Sequence, residues 1–491
     1  MQLVRLKILE IARKPFGAAA LRILSAYFLF LCVGAGAALE AAAQAGDPPP
    51  HILFIIGDDH GWPYSGFMGD PLVQTPELDA LAEGGTLFDY GYSTASVCAP
   101  ALQTLLTGLH PHQWIMRKEQ IEQDIGARIP TGLEVSYFDD TLPRRLSGLG
   151  YRSFQAGKHW EGTFDMAGFD AGTAQNFTVG GLIKDGEGFG RAEPIDPLWD
   201  FVDTAGEEPL FLWIAPKLPH VPLDPPAEFQ MLYQEQGLAD SAFLYYANIT
   251  RLDALVGEIL SGFSTRGLLE NTLVIYLSDN GWEQDPYVEH WMGFFLGGEK
   301  GKLSNHELGY RTPIIFNWQG QVPSGQILDD LVSFEDVFKT ILDYAGSPPG
   351  AAAPGFSLKQ RIEDPSQPVA RDEIIGIMTS TRTTEADWIP STGFAGLRSI
   401  ERAAFVRTRD WRYLSYPDQG AIELYRIEED PFEDVDLATF ENSDVVDALD
   451  GKLQFWLDNY LTVPEPSSGL LSACAVAVVA LLRRRGGRTY L

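Results

Sequence analysis

The chain of 491 residues exceeds the roughly 250 to 300 at which one hydrophobic core stops growing, so two domains are expected. Its 45% hydrophobic and 21% charged residues exclude disorder, collagen and coiled coil, while 36 Lys+Arg against 67 Asp+Glu, net −31, argue against a nucleic-acid partner. The three cysteines, Cys32, Cys98 and Cys474, are too few for a disulfide framework.

Residues 1–45 start with Arg5, Lys7, Arg13 and Lys14, run through an apolar stretch from Ile23 to Ala38 and end on Ala41-Ala42-Ala43-Gln44-Ala45. That order describes a secretory signal cleaved near Ala43 or Ala45; the alternative is a retained anchor. His51 to Ile56 is a continuous apolar run, expected as a strand buried on both faces and closed by Gly57-Asp58-Asp59. Thr75, Pro76 and Gly84 bracket a short helix over 76–83. Pro100 places Cys98 at the N-terminus of an apolar helix. Further strands are expected at 151–155, 209–215, 273–277 and 313–316, and Leu252, Leu255, Val256, Ile259, Leu260 and Phe263 form the core stripe of a long helix. Ser333 with Asp336 opens another helix, which Gly346 ends.

Residues 46–346 are thus read as an α/β domain with a large, mainly parallel sheet flanked by helices. After a Pro/Gly/Ala stretch at 347–354, strand-like segments at 403–406, 411–414 and 421–425 point to a smaller antiparallel sheet domain over 347–462. Val463-Pro464-Glu465-Pro466, an apolar run from Gly469 to Leu482 and Arg483-Arg484-Arg485 close the chain; the run is short for a bilayer span. Without the two ends, 27 basic residues face 64 acidic ones, a body charge of −37. An anionic substrate would therefore need a local cluster of cations.

In an open parallel sheet, ligands collect beyond the carboxyl ends of the strands, and two expected strands end in hard oxygen donors: Asp58-Asp59 and Asp279-Asn280. Together these suit Ca²⁺ or Mg²⁺, although either pair alone reads as a turn. A cysteine at a helix N-terminus suits an anion or a thiolate, although a lone cysteine also reads as a small buried hydrophobe. His110 and His112 are placed at a pocket rim. Trp282, Tyr287, Trp291, Phe294 and Phe295 read either as sugar-stacking rings or as an ordinary apolar loop.

The strand with Asp58-Asp59, the Cys98-x-Pro100 loop ending in Thr107-Gly108, Gly157-Lys158, Pro219-His220-x-Pro222, Asp279-Asn280-Gly281, Gly301-Lys302 and Glu307 to Pro313 resemble, in order and spacing, the motifs of type I sulfatases of the alkaline phosphatase superfamily. Glu423-Leu424-Tyr425 with Asp430-Pro431 resembles that family's C-terminal pattern. The resemblance implies that Asp58, Asp59, Asp279 and Asn280 hold a divalent cation, most often Ca²⁺, and that Cys98 is converted to formylglycine. It implies that Lys158 and Lys302 clamp sulfate, that His220 with Lys302 protonates the leaving oxygen, and that the substrate is a sulfated small molecule or glycan. The tail resembles the PEP-CTERM sorting signal, which implies an exosortase partner and a place in the periplasm, at the cell surface or in the extracellular matrix of a Gram-negative-type bacterium.

Two positions depart from the pattern. The family's Cys-x-Pro-x-Arg has Leu102 in its arginine position, and its Lys-x-His is here Lys158-His159-Trp160, so the base histidine is one residue early. A bulge would be needed to bring His159 back to the site. Three readings stay open: an active sulfate-ester hydrolase, a phosphate or phosphonate ester hydrolase using unmodified Cys98, and an inactive protein that binds sulfated glycan.

Overall fold

The computed structural model describes residues 48–130, 133–159, 161–174, 195–289, 300–347, 355–378, 403–417 and 419–460. The expected end segments, 1–45 and 463–491, lie outside the described residues, as do Trp160, Trp291, Phe294 and Phe295.

The apolar run after Pro50 forms β1 (His51–Gly57), the middle of an eight-stranded sheet. Its other strands are β2 (Thr86–Tyr92), β3 (Arg152–Gly157), β4 (Ala171–Gly172), β5 (Leu210–Ala215), β6 (Thr272–Ser278), β7 (Ile314–Asn317) and β8 (Gln326–Ser333). The order is β4-β3-β5-β1-β6-β7-β2-β8, parallel except for β7, which runs antiparallel to both of its neighbours.

Side chains alternate along a strand, so β1 sends Ile52, Phe54 and Ile56 into one core and Leu53 and Ile55 into another. The first core is covered by α2 (Cys98–Thr107, following α1) and a helix near residue 340; the second is covered by α1 (Pro76–Glu83) and the long helix carrying Leu252. The long helix is α4 (Asp240–Thr265) and the one near residue 340 is α6 (Phe334–Tyr344), with α3 (Pro111–Ile125) and α5 (Glu307–Tyr310) elsewhere in the chain. The Leu252 to Phe263 stripe of α4 faces the second core as expected. Asp336 accepts the Ser333 N–H at 2.9 Å at the start of α6, also as expected.

Strands β9 (Glu373–Met378), β10 (Ala403–Thr408), β11 (Trp411–Tyr416) and β12 (Ala421–Arg426) form an antiparallel sheet in the order β12-β11-β10-β9. One face packs Phe405 and Leu414 against Tyr92, Tyr310 and Leu331, and the other meets Leu449, Leu453 and Leu457 of α7 (Ser443–Tyr460).

The large sheet therefore matches the expected architecture, with three additions, one of them the two-residue β4. Strands β2 and β8 were not anticipated, because Asp89, Gly91, Asp329 and Asp330 interrupt their apolar pattern. In the sheet β2 lies between β7 and β8, and its register shifts between Phe88 and Tyr90.

Gly157 ends β3 with φ +81, a backbone region that glycine reaches without strain, and a Cβ there would run into the Ala215 carbonyl. Replacing it should therefore cost twice over, through strain and through overlap. We expect Gly157→Ala to lower unfolding free energy by about 2 to 4 kcal/mol in urea titrations.

Candidate active site

β1 and β6 are paired in register from His51↔Thr272 to Gly57↔Ser278, so the residues that follow them emerge side by side. Asp279 N–H donates to Gly57 O at 2.9 Å, and Asp59 N–H donates to Asp279 Oδ1 at 3.1 Å. Asp59 sits at φ +68, a region costly for a residue with a Cβ, and Tyr245 of α4 fixes it by donating its hydroxyl to Asp59 O at 2.7 Å. The same hydroxyl accepts Gly61 N–H at 3.0 Å. Sequence reasoning missed Tyr245, which looks like any other buried aromatic on a core helix.

All four expected metal ligands, Asp58, Asp59, Asp279 and Asn280, are buried. Ligand atoms of Asp58, Cys98 and Asp279 lie within 4.8 Å of one another, as do those of Asp58, Asp59 and His220. Two lysines reach into this group. Lys158 Nζ is 2.7 Å from both Asp58 carboxylate oxygens, and Lys302 Nζ is 2.7 Å from Asp59 Oδ1. Asn280 Nδ2 donates to Asp59 Oδ1 at 2.8 Å, and His220 Nε2 stands 3.6 Å from Asp59 Oδ2.

Burial works against Asp58, yet His220, Lys158 and Lys302 hold its carboxyl well below the usual range. Asp279 goes the other way: burial, then the Asp58 charge, pushes it far up, with the lysines only partly opposing. Three buried carboxylates therefore face two ammonium groups, and the deficit falls on Asp279. Asn280 Oδ1, also buried, has no hydrogen-bond partner among the described residues. A carboxylate short of positive charge beside an orphaned amide oxygen is what a hard divalent cation would satisfy, so the donor set fits Ca²⁺ or Mg²⁺.

Cys98 opens α2 and packs, partly buried, against the first core. Burial pushes its thiol up; Lys158 and Lys302 pull the other way, while Asp279 and Asp58 add to the rise. Leu102, one helical turn on, is 2% exposed and belongs to the same core as Leu105 and Leu106. The position that would carry an arginine is thus filled by packing.

Lys158 joins the carboxylates because Gly157 turns the chain at the end of β3, with Lys158 N–H donating to Ala215 O at 2.8 Å. Its neighbour His159 does not join the cluster described above. It is 4% exposed, lies edge-on to Phe169 at 6.3 Å between ring centres, and burial lowers it to about 4. His110 and His112 are buried rather than at a rim, with their Nδ1 atoms 2.7 Å apart and their rings against Trp456 of α7.

Residues 50–347 match the sulfatase family model. N-acetylgalactosamine-6-sulfatase of Mus musculus is 29% identical over 360 residues, which cover 64% of this chain and 65% of that protein. The chain thus spans a little less than two thirds of that relative's length. The crystal structure of Ps i-CgsB in complex with k-i-k-neocarrahexaose aligns with TM-score 0.64 and 21% identity, covering 88% of this chain and 98% of the other. The phosphonate monoester hydrolase of Agrobacterium radiobacter aligns with TM-score 0.60 and 18% identity, over 86% and 99%. At such identities the two structures show a shared fold.

His159 yields a pH test. An unfolded histidine titrates near 6.5 and this one near 4, so the folded state takes up its proton later as pH falls, and the stability this residue contributes declines through that window. Between pH 7 and pH 5, wild type should lose about 2 kcal/mol relative to His159→Phe, read from paired denaturation curves.

Proposed function

The chain belongs to the sulfatase family, and on that premise we propose that it hydrolyses sulfate esters of a glycan or smaller molecule, with Cys98 at the nucleophile position. The observation that carries this reading is the convergence of Cys98, three carboxylates, Asn280, two lysines and His220 at the ends of β1, β3 and β6. In that reading Asp58, Asp59, Asp279 and Asn280 hold a divalent cation, taken as Ca²⁺ with Mg²⁺ the alternative; when bound it supplies charge against sulfate oxygens. Formylglycine made from Cys98 supplies an oxygen nucleophile where the thiol stands.

The chain's own residues supply cations and protons. Burial would lower Lys158 and Lys302, but Asp58 acting chiefly on the first and Asp59 on the second raise both above lysine's usual range. Both stay charged at neutral pH, so they offset the sulfate charge inside an acidic body. His220 is driven by burial down to about 4, so it is uncharged in the free site. Its Nδ1–H donates to Val221 O at 2.6 Å, which turns Nε2 toward Asp59. Lys302 therefore brings the proton toward the leaving oxygen, and His220 can assist only after it has been protonated itself.

A second reading, a glycan-binding protein without turnover, is favoured by Leu102: the arginine's place is filled by a core side chain. The third, unmodified Cys98 acting on phosphate or phosphonate esters, needs a thiolate where burial favours the thiol. We also assign residues 1–45 to a secretory signal and 463–491 to a PEP-CTERM tail processed by an exosortase, which would place the protein in the periplasm, at the surface or in the matrix.

The test is hydrolysis of an aryl sulfate alongside an aryl phosphate and an aryl phosphonate, with mass spectrometry of the Cys98 peptide from the native host. Sulfate turnover should fall by at least about a thousandfold in Cys98→Ala and in Asp279→Ala. Undiminished turnover in Cys98→Ala would overturn the nucleophile assignment, and a bare thiol would overturn the modification. Saturating Ca²⁺ at about a hundred times its dissociation constant should add about 2.7 kcal/mol to stability, and a chelator should remove it, read by thermal melting.

A further inference from the structure

The segment 300–307 brings Lys302 to Asp59, and polar contacts with distant parts of the chain fasten it. Leu303, at φ +67, donates its N–H to Ser96 O at 2.8 Å, two residues before Cys98. Lys300 N–H donates to Glu283 Oε2 at 2.6 Å, and the remaining ties lead to β11 or to the segment that follows β12. Lys300 Nζ donates to Phe432 O and Glu433 O, each at 2.8 Å. Arg412 Nη2 of β11 donates to Asn305 O at 2.6 Å. Glu433 Oε2 accepts His306 Nδ1 at 2.9 Å and Glu307 N–H at 2.8 Å. Glu433 is 2% exposed, sits at φ +59, and has Arg412 Nε 3.3 Å from its other oxygen. Glu307, fully buried, is held by Arg407 at 3.4 Å and Arg412 at 3.2 Å, and these with Arg311 keep its carboxyl low despite burial.

We propose that Glu433, backed by Arg412, is a positioning residue for Lys302: it clamps the far end of the Lys302 loop so that the ammonium group meets Asp59. This rests on the reading of Lys302 as a group that acts on the ester. A buried carboxylate held at positive φ is expensive, and two polar groups of one loop, His306 Nδ1 and Glu307 N–H, converge on it with one arginine. Glu283 and the Lys300 side chain hold the near end of the loop, so Lys302 is suspended between that end, the Glu433 clamp and the Leu303 contact beside Cys98.

The experiment is acetylation of the folded full-length chain by N-hydroxysuccinimidyl acetate, with rates at Lys302 and Lys158 read by mass spectrometry. Lys302 is 5% exposed and ion-paired, so it reacts only when its loop opens. In Glu433→Ala its rate should rise about tenfold with Lys158 unchanged, and Glu433→Gln, which keeps an acceptor for Glu307 N–H, should fall between. Equal acceleration at both lysines, or none at Lys302, overturns the proposal. If Glu433→Ala fails to fold, Lys300→Ala cuts the other tether from a partly exposed position; Lys302 should again react faster while Lys158 does not, and the absence of that difference overturns the proposal. Labelling needs no turnover, so a wild type that hydrolyses no sulfate would refute the hydrolase reading while labelling still decides the positioning. Where turnover is present, Glu433→Ala should lower kcat by about tenfold to a hundredfold with little change in KM.

Discussion

The protein is organised around a charge deficit. Packing Asp58, Asp59 and Asp279 out of water within a few ångströms of one another costs far more than hydrogen bonds return, unless cations are fixed among them. Lys158 answers Asp58 and Lys302 answers Asp59. Each lysine must come from a different part of the chain, because β1 and β6 already occupy the centre of the sheet. The flanking segments are therefore delivery routes: β3 and Gly157 bring Lys158, and the 300–307 loop brings Lys302. What stays unbalanced, at Asp279 and Asn280 Oδ1, is the part a bound cation would satisfy.

Much of this was legible because the informative residues break local rules. Two acids ending an apolar core strand, and Asp279-Asn280 ending another, are uneconomical in a plain core, and both pairs proved buried and adjacent. Helix limits were readable for a similar reason: Pro76 at the start of α1 and Ser333 with Asp336 before α6 leave chemical signatures. The long stripe of α4 needed only periodicity.

Other parts had no local signature. Strands β2 and β8 carry acids at positions that solvent or arginine partners absorb, such as Asp330 with Arg361, so their pattern does not alternate cleanly. His159 looked like a displaced base, but the turn at Gly157 sends Lys158 to the carboxylates and His159 to Phe169. Tyr245 and Glu433 act through contacts some 130 to 190 positions away in sequence, for which no spacing rule exists. Leu102 shows the converse case: its identity was plain, but only packing reveals that the first core has absorbed the position.

The family model stops at residue 347, and every metal-ligating or charge-bearing candidate lies before that point. The fastening of the Lys302 loop does not: Arg412 and Glu433 come later. Autonomy and completeness thus part company in this molecule. A fragment ending where the family model stops would hold all the candidate site residues but lose Arg412 and Glu433, which fasten the loop of one of them, so exchanging second sheets between relatives would exchange part of the candidate site's support along with the surface.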